Sequence, residues 1–331
     1  MKKYSKVMVF LAILAALIYV PGTFINAKFL AKNHLANGKN GIHAKLAVEP
    51  KDSLDVIVIG DSESYTTVSP MQLWKEYGYT SYAAGQPGAK ISDAEDVLVT
   101  ALQLQHPKVV MLEANVLFRY EPKETITQSR LSGALYRKLP LLKYHNVWKS
   151  PFIELRTKTY KGFPISSAVK PFEAERELAN RSWNTVIAKE NLAVFARMKS
   201  MCEKNGAQLM LYAAPSPINY NPEKRQSVKA FAEEWAVKYL DLNEKSEELA
   251  INWSKDTRDH GDHLNVAGAK KTTDYIGKYL AQNFELPNRK QGEFATEWNQ
   301  LLREYEATLA RAELILDRNF KEIQRKEGIR L

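Results

Sequence analysis

The sequence has very little cysteine, since Cys202 is the single one among 331 residues. An intramolecular disulfide and a cysteine-based metal site are therefore excluded. The thiol falls within the helix-like stretch 197–202, which favours a buried and unreactive side chain. Internal repeats and low-complexity tracts are also absent. No basic–aromatic motif of the kind that binds nucleic acid occurs, so no nucleic-acid partner is predicted.

Long apolar runs are absent except at the N-terminus, where residues 7–25 carry no charged side chain. This run is long enough to cross roughly 30 Å of hydrocarbon, and it follows Lys2, Lys3 and Lys6. Basic residues before a span predict a single-pass anchor over residues 1–27, with a cytoplasmic N-terminus and an extracellular body at the cell membrane. A cleaved signal peptide is the alternative, but the run is long and its end is a poor cleavage site.

The apolar fraction of 45% is ordinary and predicts one α/β domain with appendages. After a polar tether over 28–51, apolar runs alternate with helix-like stretches over 52–285. Predicted strands are Leu54–Ile59, Thr80–Ala84, Val109–Ala114, Gln208–Ala214 and Tyr239–Leu242. Predicted helices are Pro70–Tyr77, Ser92–Gln105, Glu190–Asn205, Pro222–Lys238 and Asn265–Leu280. Strands separated by helices predict a three-layer α/β/α sandwich with a parallel five-stranded flavodoxin-like sheet.

Two segments fall outside this alternation. An insertion over about 119–180, which includes His145 and Trp148, is too long for a loop and predicts helices that cap the site or meet a partner. In the region 286–331, apolar residues recur at spacings of four and three, which predicts a long C-terminal helix. That helix could pack on its own domain or on another chain. The repeating positions are Trp298, Leu302, Tyr305, Leu309, Ala312, Leu316, Phe320 and Ile323.

The formal net charge of +9 is spread along the chain, with clusters at both ends and at Arg137 and Lys138. Scattered lysines are typical of a solvated surface. The alternative is affinity for a polyanion, either anionic membrane lipid or an anionic wall polymer.

The candidate nucleophile is Ser62, in the turn Gly60-Asp61-Ser62 directly after the first predicted strand. In open α/β sheets, functional residues lie at the carboxyl ends of the strands. Gly, Asp and Ser are, however, also common in turns that have no catalytic role. A nucleophilic serine needs a base, and the base needs a carboxylate to orient it. Segment 259–265, which leads into the last predicted helix, supplies two histidines and two aspartates.

These blocks, in this order, resemble the SGNH/GDSL hydrolase superfamily over roughly residues 54–280. The resemblance implies that Ser62 is the nucleophile and His263 the base. It also implies that the backbone N–H of Gly88, or alternatively of Gly85, and the side-chain amide of Asn115 face the oxyanion. Such donors stabilise the charge that develops on a tetrahedral acyl intermediate.

Two features depart from the family's pattern. The acid usually lies three residues before the histidine, but His260 occupies that position here. Asp259 is favoured as the acid, because an adjacent residue such as Asp262 tends to point away from its neighbour; Asp262 stays open as the alternative. In the third block, Glu113 and Val116 stand where a glycine and an aspartate are common, so the surroundings of the oxyanion hole are altered.

The anchor and the exported body further resemble proteins that accompany membrane-bound O-acyltransferases in cell-envelope modification, such as the D-alanyl-lipoteichoic-acid and alginate acetylation types. The resemblance implies an esterase or O-acyltransferase that acts on envelope polysaccharide through an acyl-Ser62 intermediate. The alternative is a catalytically idle scaffold for an acyltransferase or an export complex. The His and Asp side chains of 259–263 are too close in sequence to surround an ion, so neither a metal nor a cofactor is predicted.

Overall fold

The computed structural model describes residues 2–26, 29–30, 38–144, 158–245 and 247–326. The chain forms two compact units, which divide the predicted insertion between them. The N-terminal unit comprises Met1–Lys51 and Pro122–Arg156, and the sheet unit comprises Asp52–Glu121 and Thr157–Leu331. His145 and Trp148 lie outside the described residues.

The sheet unit is built on five parallel strands in the order β2-β1-β3-β6-β7. These are β1 Val56–Ile59, β2 Ser81–Ala83, β3 Val109–Glu113, β6 Gln208–Ala213 and β7 Lys238–Asp241. Every residue of β1 and β3 is buried, which explains their nearly continuous Val, Ile and Leu content. A short antiparallel hairpin, β4 Thr159–Tyr160 with β5 Phe163–Pro164, forms a separate sheet whose turn contacts β2, since the Ala83 N–H donates to the Lys161 carbonyl. All five predicted strands and the flavodoxin-like parallel sheet are confirmed.

Helices flank the sheet and follow its strands. They are α3 Ser62–Thr67, α4 Pro70–Tyr77, α5 Ile91–Leu104, α8 Ala174–Leu178, α9 Lys189–Lys204, α10 Pro222–Glu234, α11 Val266–Asn283 and α12 Ala295–Lys326, with a 3₁₀ turn over Ala114–Phe118. The five predicted helices are confirmed, but α10 ends four residues earlier than expected. The chain leaves this helix through a turn in which Ala236 adopts a left-handed φ of 49° before β7 begins. Asn265 caps α11 by accepting from two backbone N–H groups.

The C-terminal helix α12 packs on its own unit. The ring centroids of Trp298 and Trp74 lie 5.3 Å apart, and the Ser69 hydroxyl donates to Tyr305 Oη at 3.0 Å. Within the predicted seam, Trp298, Tyr305, Ala312 and Leu316 are buried. Of the two alternatives for this helix, the structure thus supports packing on its own domain.

The N-terminal unit contains α1 Lys2–Phe24, α2 Gly38–Leu46, α6 Lys123–Lys138 and α7 Pro140–Tyr144. Within the described residues, Tyr4–Phe24 is the one segment long and apolar enough to cross a membrane, and a signal sequence would meet the same criteria. The region predicted as a tether is not extended throughout. It includes α2, in which Ile42, Ala44 and Leu46 are buried.

Candidate active site

The nucleophile turn begins where β1 ends. Gly60 has a φ of +145°, and a Cβ at this position would lie 2.6 Å from Glu113 Cβ. A glycine is therefore required both by backbone conformation and by close packing. Asp61 Oδ1 accepts from the Glu63 N–H at 3.0 Å and so caps α3. Ser62 is the first residue of that helix, at the carboxyl edge of the sheet.

Ser62, His263 and Asp259 form a continuous hydrogen-bonded chain. His263 Nε2 lies 2.7 Å from Ser62 Oγ, and His263 Nδ1 lies 2.7 Å from Asp259 Oδ2. The other Asp259 oxygen accepts from the His263 backbone N–H at 2.7 Å. One carboxylate thus orients both the ring and the backbone of the histidine. This is the arrangement needed for a base that removes the serine proton.

The carboxylate of Asp259 is held in its ionised form. Burial alone would raise its pKa, but the hydrogen bond and the charge of His263 outweigh that effect and lower the pKa below its usual value. An ionised partner favours the Nδ1-protonated ring, which leaves Nε2 free to accept a proton from Ser62.

The extra residue between the acid and the histidine is absorbed by a tight turn. His260 and Gly261 adopt left-handed φ values of 63° and 89° in succession, which folds Asp259 back onto His263. A side chain at 261 would lie 2.9 Å from Phe172, so a glycine is needed there. Asp262 lies 3.5 Å from His263 Nδ1 and accepts from Asn219 instead. The structure therefore pairs His263 with Asp259 rather than with Asp262.

The histidine loop, residues 257–263, is fastened by groups from other parts of the chain. Ser216, which follows β6, donates its hydroxyl to the Gly261 carbonyl at 2.8 Å. Residues 166–172 belong to the predicted insertion and also contact the histidine loop. The Lys170 N–H donates to the Thr257 carbonyl, and the Lys170 carbonyl accepts from the His260 N–H. This part of the insertion lies on the loop that carries the base.

Asn115 lies in the 3₁₀ turn that follows β3 and contacts the nucleophile turn through Asp61. Its Oδ1 accepts from Lys224 Nζ at 2.5 Å, and its Nδ2 donates to Asp61 Oδ2 at 3.1 Å. A lysine ammonium can only donate, so it fixes which way the amide faces. The amide nitrogen carries two hydrogens, and among the described residues Asp61 is the one acceptor recorded for them, so the role as an oxyanion donor stays a prediction.

The two candidate glycines occupy different positions. A Cβ at Gly85 would lie 1.9 Å from Ser64 Oγ and 2.7 Å from the Asp61 carbonyl, so Gly85 packs directly on the nucleophile turn. Gly88 has a left-handed φ of 60°, and a Cβ there would face open space. The family resemblance favours the N–H of Gly88 as the oxyanion donor, whereas the structure packs Gly85 against the nucleophile turn. The role of either N–H stays a prediction.

A buried charge network lies beneath the nucleophile turn, and sequence reasoning assigned it no role. Glu113 is fully buried and accepts from Tyr220 Oη at 2.5 Å. Burial, together with the charge of Asp61, raises the pKa of Glu113 to about 8. Burial lowers the pKa of the Lys224 ammonium. Arg119 donates to Asp61 Oδ2 at 2.6 Å. Only the departure from glycine at position 113 signalled this network in the sequence.

Glu63, the residue after the nucleophile, is the least satisfied member of this region. Its side chain is buried, and neither carboxylate oxygen has a hydrogen-bond partner among the described residues. Burial, and then the charge of Glu113, raise its pKa well above the usual value. Such surroundings favour the neutral form of the carboxyl group more than water does.

Two groups of side chains bring possible metal ligands together. In the first, Asp259, Asp262 and His263, the Nδ1 atom is engaged by Asp259. In the second, Asp61, Glu63 and Glu113, donors from Asn115, Arg119 and Tyr220 occupy the oxygens of two members. An ion would have to displace these donors. The expectation of a metal-free site stays a prediction.

No protein-family model matches this chain, and no curated protein matches it. Several solved structures resemble it at low identity. A candidate acylhydrolase from Bacteroides fragilis is 12% identical over 73% of this chain and 94% of its own, with a TM-score of 0.39. A GDSL-like lipase from Bacteroides thetaiotaomicron is 14% identical over 78% and 98%, with a TM-score of 0.38. An acetyl xylan esterase from Butyrivibrio proteoclasticus is 11% identical over 71% and 65%, with a TM-score of 0.34. At TM-scores this low, the chemistry of the site has to be argued from its own geometry.

Proposed function

We propose that this chain is a membrane-anchored serine esterase or O-acyltransferase of the SGNH/GDSL type that acts on acyl esters of cell-envelope polysaccharide. The observation that carries the proposal is the unbroken contact from Asp259 through His263 to Ser62, with both ring nitrogens 2.7 Å from their partners. Neither a buried structural histidine nor a turn-forming serine requires that arrangement.

The proposed reaction has two steps that share the same groups. His263 Nε2 accepts the Ser62 proton while Oγ attacks the acyl carbonyl, and the Asn115 amide donates to the oxygen that becomes negative. The tetrahedral intermediate collapses as His263 returns the proton to the leaving alcohol, which leaves an acyl ester on Ser62. Water or a sugar hydroxyl, deprotonated by His263, then attacks this ester and regenerates the serine.

The cellular setting is inferred from α1. The first turns of this helix carry three lysines ahead of its apolar part, which favours retention in the membrane with the sheet unit outside the cytoplasm. The proposed ester-bearing substrate of an enzyme tethered there is an envelope polymer. The net charge of +9 suits an anionic polymer or membrane surface. A membrane-bound O-acyltransferase partner is part of the same proposal.

A serine-directed probe tests the catalytic part. The full chain in detergent is treated with a fluorophosphonate, and the labelled peptide is identified by mass spectrometry. We expect modification of Ser62, loss of labelling in Ser62→Ala, and retention in Ser64→Ala, whose hydroxyl is buried and donates to the Asp61 carbonyl. Release of p-nitrophenol from short acyl esters should follow the same pattern.

The idle-scaffold alternative is decided by the same experiment. Its support is the unusual spacing of the acid together with the missing glycine of the third block, where Glu113 stands. The left-handed turn at His260 and Gly261 supplies a physical account of the spacing alone. A chain that neither reacts with the probe nor hydrolyses any ester, and for which Ser62→Ala equals wild type, would leave the scaffold as the better reading.

Hydrolysis and transfer are separated by adding an acceptor. The wild-type chain is incubated with an activated acyl ester, with and without envelope polysaccharide, and both free acid and polymer-bound acyl groups are quantified. An O-acyltransferase gives polymer-bound acyl groups at the expense of free acid. A plain esterase gives the same amount of acid in both reactions.

A further inference from the structure

The last turns of α1 are covered by a helical pair that comes from a distant part of the chain, α6 and α7. A Cβ at Gly22 would lie 3.5 Å from Leu141 Cβ on α7. A crevice of about 260 Å³ is lined by residues 18–26 of α1 on one side and residues 137–140 on the other. Residues 7–17 of α1 are exposed. Among the described residues, protein therefore covers α1 only near the end of the helix.

The length of α1 places this covered end at a definite depth. The apolar stretch Tyr4–Phe24 has 21 residues. At 1.5 Å per residue it extends about 31 Å, close to the hydrocarbon thickness of a bilayer. If α1 spans the membrane, its final turns lie at the edge of the hydrocarbon. The helix that packs on those turns, α7, then lies in the headgroup layer.

The neighbouring helix α6 exposes an apolar pair next to basic residues. Leu131 is 68% exposed and Leu135 is 46% exposed, and the two lie one turn apart on the face opposite to the buried Ile126 and Gly133. Residues 123–138 contain four basic side chains and one acidic, a formal charge of +3. Exposed leucines bordered by basic residues are typical of helices that lie in the interface of a bilayer.

We propose that α6 and α7 form a lipid-binding surface that docks onto the outer face of the bilayer that α1 crosses. Leu131 and Leu135 enter the boundary between headgroups and acyl chains. Arg137 and Lys138, which line the crevice beside α1, lie at the level of the lipid phosphates. The occupant is lipid because α7 packs on the end of α1, the helix that crosses the membrane in the proposed function. This inference rests on the anchoring part of the proposed function and is independent of the chemistry at Ser62.

The single cysteine of the chain makes a direct test practical. Cys202 is fully buried, and burial raises the pKa of its thiol to about 12, so it does not compete for a thiol reagent in the folded protein. A cysteine introduced by Leu131→Cys or by Leu135→Cys is labelled with the fluorophore NBD in the full chain and reconstituted into nanodiscs. Leu314→Cys is the matched control, a leucine of similar exposure on α12 (71%).

The readout is quenching by nitroxides on the lipid chains compared with quenching by aqueous iodide. We expect a label at 131 or 135 to be quenched by a shallow nitroxide at least roughly threefold more than a label at 314, and more in anionic than in zwitterionic nanodiscs. Equal iodide access at all three positions would overturn the proposal. Protection from iodide without nitroxide quenching would also overturn it, because a protein surface would then be the occupant.

A further label separates failure of this inference from failure of the anchor. Leu14→Cys places the fluorophore on the exposed middle of α1. One outcome is quenching of this label by a deep nitroxide while the labels at 131 and 135 are quenched by aqueous iodide and not by lipid nitroxides. That result would support the membrane anchor and contradict the lipid-binding surface. Absence of deep quenching at position 14 would instead contradict the proposal that α1 spans the membrane. Because both leucines are exposed, each substitution serves as the replacement if the other fails to fold.

Discussion

The nucleophile turn and the histidine loop lie at the same edge of the sheet, but the protein holds them in different ways. Around Ser62, the supporting side chains Asp61 and Glu113 are completely buried, and their partners come from inside the sheet unit. Around His263, the aspartate partner is one-third exposed, and the loop contains two consecutive left-handed residues. The nucleophile is thus positioned by buried charged side chains, and the base by a partly exposed loop that hydrogen bonds from Ser216 and Lys170 hold.

This difference indicates where each half of the site is vulnerable. Removing one partner from a buried charge network leaves the other charges unsatisfied, so damage at the nucleophile turn should appear in stability as well as in rate. A loop held by a few hydrogen bonds can shift without unfolding the domain. Damage there should appear mainly in the rate.

The largest effect is expected at the histidine loop, from Asp259→Asn. The amide cannot hold His263 in the tautomer that accepts the serine proton, so kcat should fall by roughly 10³–10⁴ with little change in melting temperature. Steady-state hydrolysis of a short acyl ester measures the rate, and calorimetry measures the stability. Asp262→Asn is the matched control and should stay within about tenfold of wild type, because its carboxylate accepts from Asn219. A larger loss in Asp262→Asn than in Asp259→Asn would reverse the assignment of the acid.

Asn115→Ala probes the other half of the comparison. Loss of one oxyanion donor should lower kcat by roughly 10²–10³, equivalent to about 3 kcal/mol, and leave KM nearly unchanged. Lys224 also loses an acceptor at 2.5 Å, so the melting temperature should fall, in contrast to Asp259→Asn. A raised KM with an unaltered kcat would mean that Asn115 binds the ground state and the transition state equally.

The elements that sequence reasoning predicted are those with a local signal. The strands are recognisable in the sequence as Val- and Ile-rich runs. Ser62, Asn115 and His263 each lie in a short motif that follows a strand or precedes a helix. The choice between Asp259 and Asp262 needed the left-handed turn at 260 and 261, which no spacing rule supplies. The motif alone therefore favours Asp259 without excluding Asp262, and in the structure it is Asp259 that lies 2.7 Å from His263 Nδ1.

The buried network had no comparable signal. Lys224 and Glu113 are 111 positions apart in the chain and meet only because α10 and β3 belong to one layered unit. A lysine in a helix and a glutamate at a strand end both read as ordinary surface residues. Their burial depends on how the sheet and helices assemble, so it cannot be predicted from composition or periodicity.

Glu113→Gln tests whether that network makes stability depend on pH. A carboxyl whose pKa is raised to about 8 in the folded state binds its proton more tightly than in the unfolded chain. Its contribution is therefore complete below the unfolded pKa of about 4.5 and is lost as pH rises through the folded pKa. The free energy of unfolding of wild type should fall by about 2 kcal/mol between pH 6 and pH 8 from this group.

In Glu113→Gln this part of the slope should disappear. The variant will be less stable at pH 5, because its amide nitrogen must face a donor, either Tyr220 or the Asn115 N–H. Urea unfolding at several pH values measures the slope, and Glu234→Gln, an exposed carboxylate on α10, is the control. Parallel slopes in wild type and Glu113→Gln would show that the group does not titrate in this range.

The smallest expected effect is that of Ser216→Ala, which removes a fastening of the histidine loop. The hydroxyl donates to the Gly261 carbonyl at 2.8 Å, and its loss should cost about 1 kcal/mol of stability. Because this bond links β6 to the turn that folds Asp259 back onto His263, kcat should also fall several-fold. Ser227→Ala on α10, where an exposed hydroxyl donates to the Glu223 carbonyl, should change neither quantity. A Ser216→Ala variant with reduced stability but full kcat would mean that the left-handed turn holds its shape unaided. The histidine loop would then be as firmly positioned as the nucleophile turn.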